Sequence, residues 1–586
     1  METRTQGKSQ LMKRTSMKPQ NLFICLLLFL LTFWTKSGNS QIKISVIDDG
    51  VKLRLNDPIP LKSPVFDQAS MQINLCGAKN EVLAFQVVVE SGKKVLENLT
   101  LKASHLVSKT GIIQVENYEF FKAYFLHVTE PSTEMYGKPS SRGEGWYPDP
   151  LLPFEYDGRP VAAPFRVMPG ARQIIWIDLW IPPTTPAGSY QGKIKILQNE
   201  TLLKELSISV TVWNFALPDE SHLKTFFYFG PEQLRQAHGI DKNSPLARTL
   251  YTKYMQMAHA HRFNLATDVY VEQNWQDFDN YWGEFLDGAA FTNGPGKGVG
   301  CPLWPVNIDI WNGQAKFQQQ AKFWMDHFFE KGWSDKLFLY VIDEPGEGDY
   351  PEVRKVGSWL DDAPYPGNLL PFMLTEHFTT ELVGHVDIWN SMRIGQQDIQ
   401  KRVDSDDRFW TYNGAEPGSG SQCIDTDGLA MRTWGWIAWK GRREAWHYWD
   451  CCYFKDRVNR RGETNVWKNP LTYDQRPKGD VDWGNGDGTL FYPGQQKTYG
   501  INYLFGPVSS FRMKALRRGL QDYEYLWLAK NLGLENEVQQ ILESVLPYPV
   551  LGDAQPGKTC YRKDAESWHR ARVKLAELIL KFNIEN

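Results

Sequence analysis

In Leu337–Tyr350, LFLYVIDEPGEGDY, six apolar residues run straight into two adjacent carboxylates, Asp343 and Glu344, followed by Pro345 and Gly346. Two carboxylates in one site suit cleavage of a glycosidic bond, where one protonates the leaving oxygen and the other deals with positive charge at the sugar carbon. Neighbours in a regular strand point to opposite faces, so this pair can serve one site only where the strand breaks. Pro345 and Gly346 supply a break, because proline cannot donate to a ladder and glycine permits a sharp turn. A like-charged neighbour and burial both raise the pKa of an acid, which favours a proton donor at neutral pH. A structural reading competes on local grounds: Asp343, Glu344, Glu347 and Asp349 also suit the N-terminal dipole of a following helix.

The elements that must position this pair are legible as a change of rhythm. From Gln41 to about residue 220 the chain alternates as strands do: LSISVTVW (Leu206–Trp213) and EVLAFQVVVE (Glu81–Glu90) place apolar residues at every second position. Strands separated by Pro, Gly and Asn turns predict an antiparallel β-sandwich. The proline-rich GWYPDPLLPFEYDGRP (Gly145–Pro160) is expected to be a long loop. Beyond FALPDE (Phe215–Glu220) helical and strand patterns alternate. Phe317, Ala321, Trp324 and Phe328 share one helical face that ends at Gly332, and the continuously apolar Leu337–Ile342 follows as a parallel strand buried on both sides. Asp349 and Glu352 are a plausible capping pair for the next helix. LLPFMLT, GHVDIW, RFWTYNG and EAWHYW complete the alternation, which predicts a (β/α)8 TIM-type barrel. The expected domains are a signal segment at 1–40, the sandwich at 41–220, the barrel at 221–508 and a C-terminal helical segment at 509–586 packed on it. Active sites of such barrels lie at the C-terminal ends of the strands, where Asp343 and Glu344 fall.

The first forty residues combine the basic Lys13, Arg14 and Lys18, the apolar Leu22–Trp34, and small residues Gly38 to Ser40 before Gln41, the order of an export signal. Thirteen apolar residues are short for a membrane span, which needs about 20. The expectation is therefore an exported, periplasmic or secreted or cell-surface protein with no stable span after cleavage. Removing the segment takes 6 of 65 basic and 1 of 68 acidic residues, leaving 59 against 67, a net charge of −8. That balance disfavours nucleic acid as a partner. Six cysteines in the remainder are too few for a disulfide framework, and no CxxC or HExxH spacing suggests a metal. The 23 tryptophans hint at ligands with flat apolar faces, sugars among them.

The order of sandwich then barrel, the strand-end DEP, RTWGWIAWK (Arg432–Lys440), GNGDGTLFYPG (Gly484–Gly494) and SSFRMKALRRGLQDYEYL (Ser509–Leu526) together resemble glycoside hydrolase family 123 and the wider group called domain of unknown function 4091. The likeness spans nearly all of the chain beyond the signal segment. It implies an exo-acting, retaining β-N-acetylgalactosaminidase in which the substrate's 2-acetamido oxygen attacks the anomeric carbon to give an oxazolinium intermediate. It further implies that Asp343 orients the acetamido group and that Glu344 is the general acid and then the base. A nucleophile supplied by the substrate explains why two adjacent residues suffice, and no cofactor or metal is required. Trp389, Tyr412, Trp436 and Trp439, at or just beyond expected strand ends, are candidates to stack on sugar, as readily as to pack a core. Tyr412 is a candidate partner of the acetamido oxygen, and Asn413 and Asp487 are candidates for sugar hydroxyls. Arg517, Arg518, Asp522 and Glu524 read as a salt-bridged surface docking a helix on the barrel. Two other readings stay open: a hydrolase of the same fold with another sugar specificity, and a non-catalytic carbohydrate-binding envelope protein. The expected partner under the first reading is a glycan or glycoconjugate ending in N-acetylhexosamine.

Overall fold

The computed structural model describes residues 42–133, 141–270, 274–456, 462–476, 479, 481–494 and 504–585; the expected signal segment lies outside them. The N-terminal part is β-rich and consists of two stacked sheets. In the first, Glu81–Glu90 lies between Lys43–Asp48 and Arg172–Ile181, and Arg172–Ile181 pairs in turn with Tyr118–Val128. The second is built around Gly188–Gln198 and Thr201–Ala216. Its pairing of Thr201–Ala216 with Gln72–Lys79 is parallel, so the expected all-antiparallel sandwich is mixed.

Phe85, Val87, Val89, Ile175 and Ile177 meet Ile194, Ile196, Ile208 and Val210 between the sheets. The alternate residues Ala84, Val88, Ile174 and Trp176 belong to the second, larger core. The first sheet is thus covered on both faces, which is why Glu81–Glu90 is buried almost throughout where a half-buried strand was expected.

The expected loop at Gly145–Pro160 is instead a strand, Gly145–Pro153, followed by a small hairpin. Its prolines remove donors but keep an extended backbone, and their carbonyls remain available. It pairs with Tyr118–Val128 on one side and, through Pro150 and Leu151, with Pro507–Ser510 on the other. The chain therefore returns to the first sheet after its α/β region.

That region is a set of short parallel strands: β1 (Lys224–Tyr228), β2 (Leu265–Ala266), β3 (Val269–Tyr270), β4 (Trp304–Asn307), β5 (Leu337–Leu339), β6 (Met373–Leu374), β7 (Ile388–Asn390), β8 (Arg408–Tyr412) and β9 (Ala445–Tyr448). They form a six-stranded sheet in the order β2-β1-β9-β8-β7-β6 and a three-stranded sheet β3-β4-β5. A parallel bridge between Leu339 and Phe372 links the two. Several strands are shorter than their apolar runs: Leu337–Ile342 is strand only to Leu339, and of Leu369–Thr375 only two residues are. Continuous apolarity reports burial, and burial outlasts the ladder.

Three helices close the chain, α1 (Phe511–Asn531), α2 (Glu535–Val545) and α3 (Ala565–Glu585). The Ser510 side chain caps α1 by accepting from the Met513 N–H. The basic and acidic residues of α1 do not form the expected surface: Arg517, Arg518, Asp522 and Glu524 are all buried. Lys514 and Arg517 pair with Asp178 at 2.7 and 2.5 Å, Arg518 with Asp49 and Glu81 at 2.8 and 2.7 Å, and Arg512 with Asp149 at 2.9 Å. Facing the other way, Asp522 pairs with Arg432 at 2.8 Å. α1 is buried because it lies between the first sheet and the α/β region. Its charges are paired across both contacts. The expected Asp349–Glu352 capping pair is likewise absent: Asp349 accepts from the Gly346 N–H, and Glu352 pairs with Lys355.

Candidate active site

Asp343 and Glu344 lie just beyond β5, on an irregular turn that begins at Tyr340, earlier than the Pro345–Gly346 break. The residue that sets them side by side is Glu344 itself, whose φ of +45° is left-handed. That conformation costs a non-glycine residue roughly 1–2 kcal/mol, and Thr375, at the end of β6, holds it. The Thr375 hydroxyl accepts from the Glu344 N–H at 2.7 Å and donates to Asp343 Oδ1 at 2.8 Å. Tyr340 donates to the same oxygen at 2.8 Å. One carboxylate oxygen of Asp343 is thus fixed by two hydroxyls, and Oδ2 is turned to other work.

Both carboxylates line a cavity of about 330 Å3 together with Tyr412, Asn413, Trp449, Tyr473, Trp483 and Asp487. Surrounding protein that displaces water, and then the charge of Asp343, push the Glu344 carboxyl upward, while Arg393 pulls the other way. Burial and the charges of Asp343 and Glu344 hold the Tyr412 hydroxyl well above its ordinary value, so it is a neutral donor. The Tyr412 ring stacks on His447 at 4.6 Å, and His447 on Phe226 at 4.4 Å. Asn390 Nδ2 bonds His447 Nδ1 at 2.8 Å, and burial depresses the imidazole to about 3. His447 is therefore a neutral ring, bonded to Asn390, on which the Tyr412 ring stacks.

Asn413, with φ +57°, accepts at Oδ1 from the Trp449 N–H at 3.1 Å. Asp487 Oδ1 accepts from Trp449 Nε1 at 2.8 Å, and burial raises its carboxyl.

Three expected aromatic contacts fall elsewhere. Trp389 is completely buried, bonds Asp407 through Nε1 and packs on Phe378. Trp436 and Trp439 sit in the helix Thr433–Lys440, not at a strand end. Trp436 is buried against Trp568 and Asp522, and Trp439 packs on Tyr523 of α1. An aromatic-rich run of eight residues does not distinguish a helix wedged in a core from a strand-end platform. The wall is built instead by Trp449, Tyr473 and Trp483. Trp449 follows β9 directly, the same strand-end signal that marked Tyr412, and was legible. Tyr473 and Trp483 come from the hairpin Leu471–Asp474 with Trp483–Asn485, which no periodicity announced.

At the opposite end of the strands, Arg262 donates to the carbonyls of Pro218 and Asn80, a structural role away from the carboxylates. Among the described residues no group of three or more His, Cys, Asp or Glu could hold a metal ion. All six cysteines there are free thiols.

Sequence models of the glycoside hydrolase 123 N-terminal domain and the glycoside hydrolase 123 catalytic domain match residues 61–198 and 303–529, together well over half of the chain. No curated protein matches. Among solved structures, a family 123 glycoside hydrolase from Clostridium perfringens, described for glycolipid glycan hydrolysis, superposes with a TM-score of 0.65 at 14% identity, covering 93% of this chain and 98% of that one. A family 39 glycoside hydrolase from Bacteroides cellulosilyticus WH2 gives 0.29 at 8% identity over 72% and 80% of the two chains, too distant to carry an argument. The paired domain matches, the full-length fold likeness and the adjacent carboxylates in their cavity belong together: this chain is a member of glycoside hydrolase family 123, a glycan-cleaving hydrolase.

Proposed function

We propose that the enzyme is an exported, exo-acting, retaining β-N-acetylgalactosaminidase that uses the 2-acetamido group of its substrate as nucleophile. The observation that carries this is the placement of Asp343 and Glu344 next to each other in the lining of one cavity, pinned through one threonine. Carboxylates of adjacent residues do not flank a sugar as acid and nucleophile do in the usual retaining pair. Asp343 accepts the acetamido N–H through its unengaged Oδ2 and stabilises the positive charge that grows on that group. Tyr412 donates to the acetamido oxygen and aims it at the anomeric carbon. As the carbon–oxygen bond to the leaving group breaks, Glu344 gives that oxygen its proton. Glu344, now a carboxylate, takes a proton from the water that opens the oxazolinium ring, and the configuration is retained. Asn413 and Asp487 read hydroxyls of the same sugar, and Trp449 lies along its face.

The reading treats the parallel strands as a (β/α)8 barrel, with β2 and β3 one stave interrupted at Thr267 and Asp268. The Leu339–Phe372 bridge between the two sheets supports that closure. Export rests on the basic, apolar and small-residue order of the first forty residues, and N-terminal sequencing of the cell-free or periplasmic protein should begin at Gln41.

The decisive assay compares aryl β-N-acetylgalactosaminide, the matching N-acetylglucosaminide and the galactoside, using wild type, Asp343→Asn and Glu344→Gln. Turnover of the first substrate is expected, with losses of about a hundred- to ten-thousand-fold in each variant. Equal turnover of the galactoside, which has no acetamido group, or variants as active as wild type, would sink the mechanism.

A further inference from the structure

Glu344 stands between two cavities. One is the cavity of about 330 Å3 that also holds Asp343, Asn413 and Asp487. The other, of about 250 Å3, is bordered by Thr375, Glu376, His377, Ser391 and Arg393. Glu344, Met392 and Tyr412 line both, whereas Asp343 lines only the first. A general acid must reach the oxygen of the bond being broken, so it sits where the terminal sugar meets its leaving group. With the acetamido sugar beside Asp343, the leaving group is directed into the second cavity.

Besides Glu344, the lining of that second cavity carries the charged side chains of Glu376 and Arg393. Glu376 Oε1 is engaged by the His377 N–H at 2.6 Å and by the His377 ring, while Oε2 has no protein donor among the described residues. The Arg393 guanidinium is exposed and has neither a hydrogen-bond nor an ion-pair partner among the described residues. Its backbone is nonetheless anchored. The Arg393 N–H bonds Ser391 Oγ at 3.1 Å, the buried Arg443 donates to the Ile394 carbonyl, and the Gln396 N–H bonds Asp553 at 2.8 Å. A fixed segment thus presents a fork of donors, and a neighbouring segment an open carboxylate oxygen, to the same space.

We propose that this second cavity is a leaving-group subsite for a sugar residue, in which Arg393 donates to, and Glu376 accepts from, hydroxyls of the ring that Glu344 releases. The assignment rests on the role proposed above for Glu344. A sugar ring supplies acceptors for the guanidinium and donors for the carboxylate at once. An acyl chain or an aromatic group would strip water from both charges and return no hydrogen bond.

The test compares kcat/KM on two substrates for wild type, Arg393→Met and Glu376→Gln. One is the disaccharide with β-N-acetylgalactosamine on galactose, and the other is methyl β-N-acetylgalactosaminide. The methyl glycoside needs the same proton from Glu344 but brings no hydroxyls into the second cavity, so an effect transmitted through Glu344 strikes both substrates alike. Each substitution is expected to lower the disaccharide value about tenfold more than the methyl value, the loss of one hydrogen bond to a charged group. Equal losses on both substrates, or none, overturn the subsite while leaving the hydrolase reading intact. A selective loss confined to disaccharides whose leaving sugar carries a carboxylate or sulfate also overturns it, because Arg393 would then be binding an acid. Wild type inert on both substrates signals failure of the functional reading itself.

Discussion

Thr375 is the residue on which the arrangement of the Asp343–Glu344 pair depends, because its single hydroxyl donates to Asp343 and accepts from the Glu344 backbone. Removing that hydroxyl leaves one oxygen of Asp343 to Tyr340 alone and frees a turn held at positive φ. Thr375→Val is therefore expected to lower kcat by about ten- to a hundredfold, the worth of a hydrogen bond to a charged group, with KM moving less. Thr375→Ser, which keeps the hydroxyl, should recover most of the rate; a serine variant as poor as valine would show that Thr375 only fills space. In the proposed mechanism Glu344 must be protonated to act as the acid, and on that reading it sets the basic limb of the kcat/KM profile. Its carboxyl is raised by the enclosing protein and Asp343 and lowered by Arg393. The limb should lie above the ordinary glutamate range, and Arg393→Met should move it further up, since the substitution removes the charge that favours the carboxylate. A limb that moves down in this variant would contradict the electrostatic account.

At the scale of elements, α1 is the joint between the β-rich part and the parallel strands. Asp178 receives both Lys514 and Arg517, and the Trp176 N–H as well. Burial opposes the charge on Asp178, but Arg517 and Lys514 more than offset it and hold the carboxyl well below its ordinary value of 3.8. Asp178→Asn leaves two buried cations without their counter-charge and should destabilise the fold by about 3–5 kcal/mol, measured by urea unfolding at pH 7. A group with a depressed folded pKa stabilises above its unfolded value and loses that contribution as pH falls through the folded one. The gap between wild type and Asp178→Asn should thus be full at neutral pH and narrow only below about pH 4. A gap that widens with acid would mean that the pair is not ionised as drawn.

For the whole molecule, the β-rich part and the catalytic part are not separable units. Pro507–Ser510 is hydrogen-bonded into the first sheet, and Lys514, Arg517 and Arg518 find their carboxylates at Asp178, Asp49 and Glu81. A chain of residues 221–585 alone should be insoluble, or lack the near-ultraviolet circular dichroism of packed aromatics, because it exposes a core face and leaves Arg512, Lys514, Arg517, Arg518 and Arg572 without their carboxylates. A soluble, active fragment would refute that dependence. The abundance of tryptophan belongs to this scale as well. Of the 22 tryptophans among the described residues, 13 are buried: Trp213, Trp282 and Trp333, and ten that are each less than 2% exposed. Most of what composition suggested as sugar platforms is packing.

The strand-end pair Asp343–Glu344, the β-rich start, the alternation of strand and helix, and the family likeness were all legible in the sequence. Each depends on short-range pattern: alternation, apolar runs, and residue order at one turn. Tyr412, Asn413 and Asp487 were also legible as candidates, and the fold brings all three to the cavity of Asp343 and Glu344. Tertiary structure alone decided that Trp436 lies in a helix packed in a core and that Tyr473 and Trp483 join Trp449 on the cavity wall. It alone placed Thr375, 31 residues from Glu344, in contact with both residues of the pair, and Arg393 in one cavity with Glu344. It alone turned the charges of α1 inward. Such contacts join segments with no periodic relation to one another, and nothing local in a sequence records a distance between them.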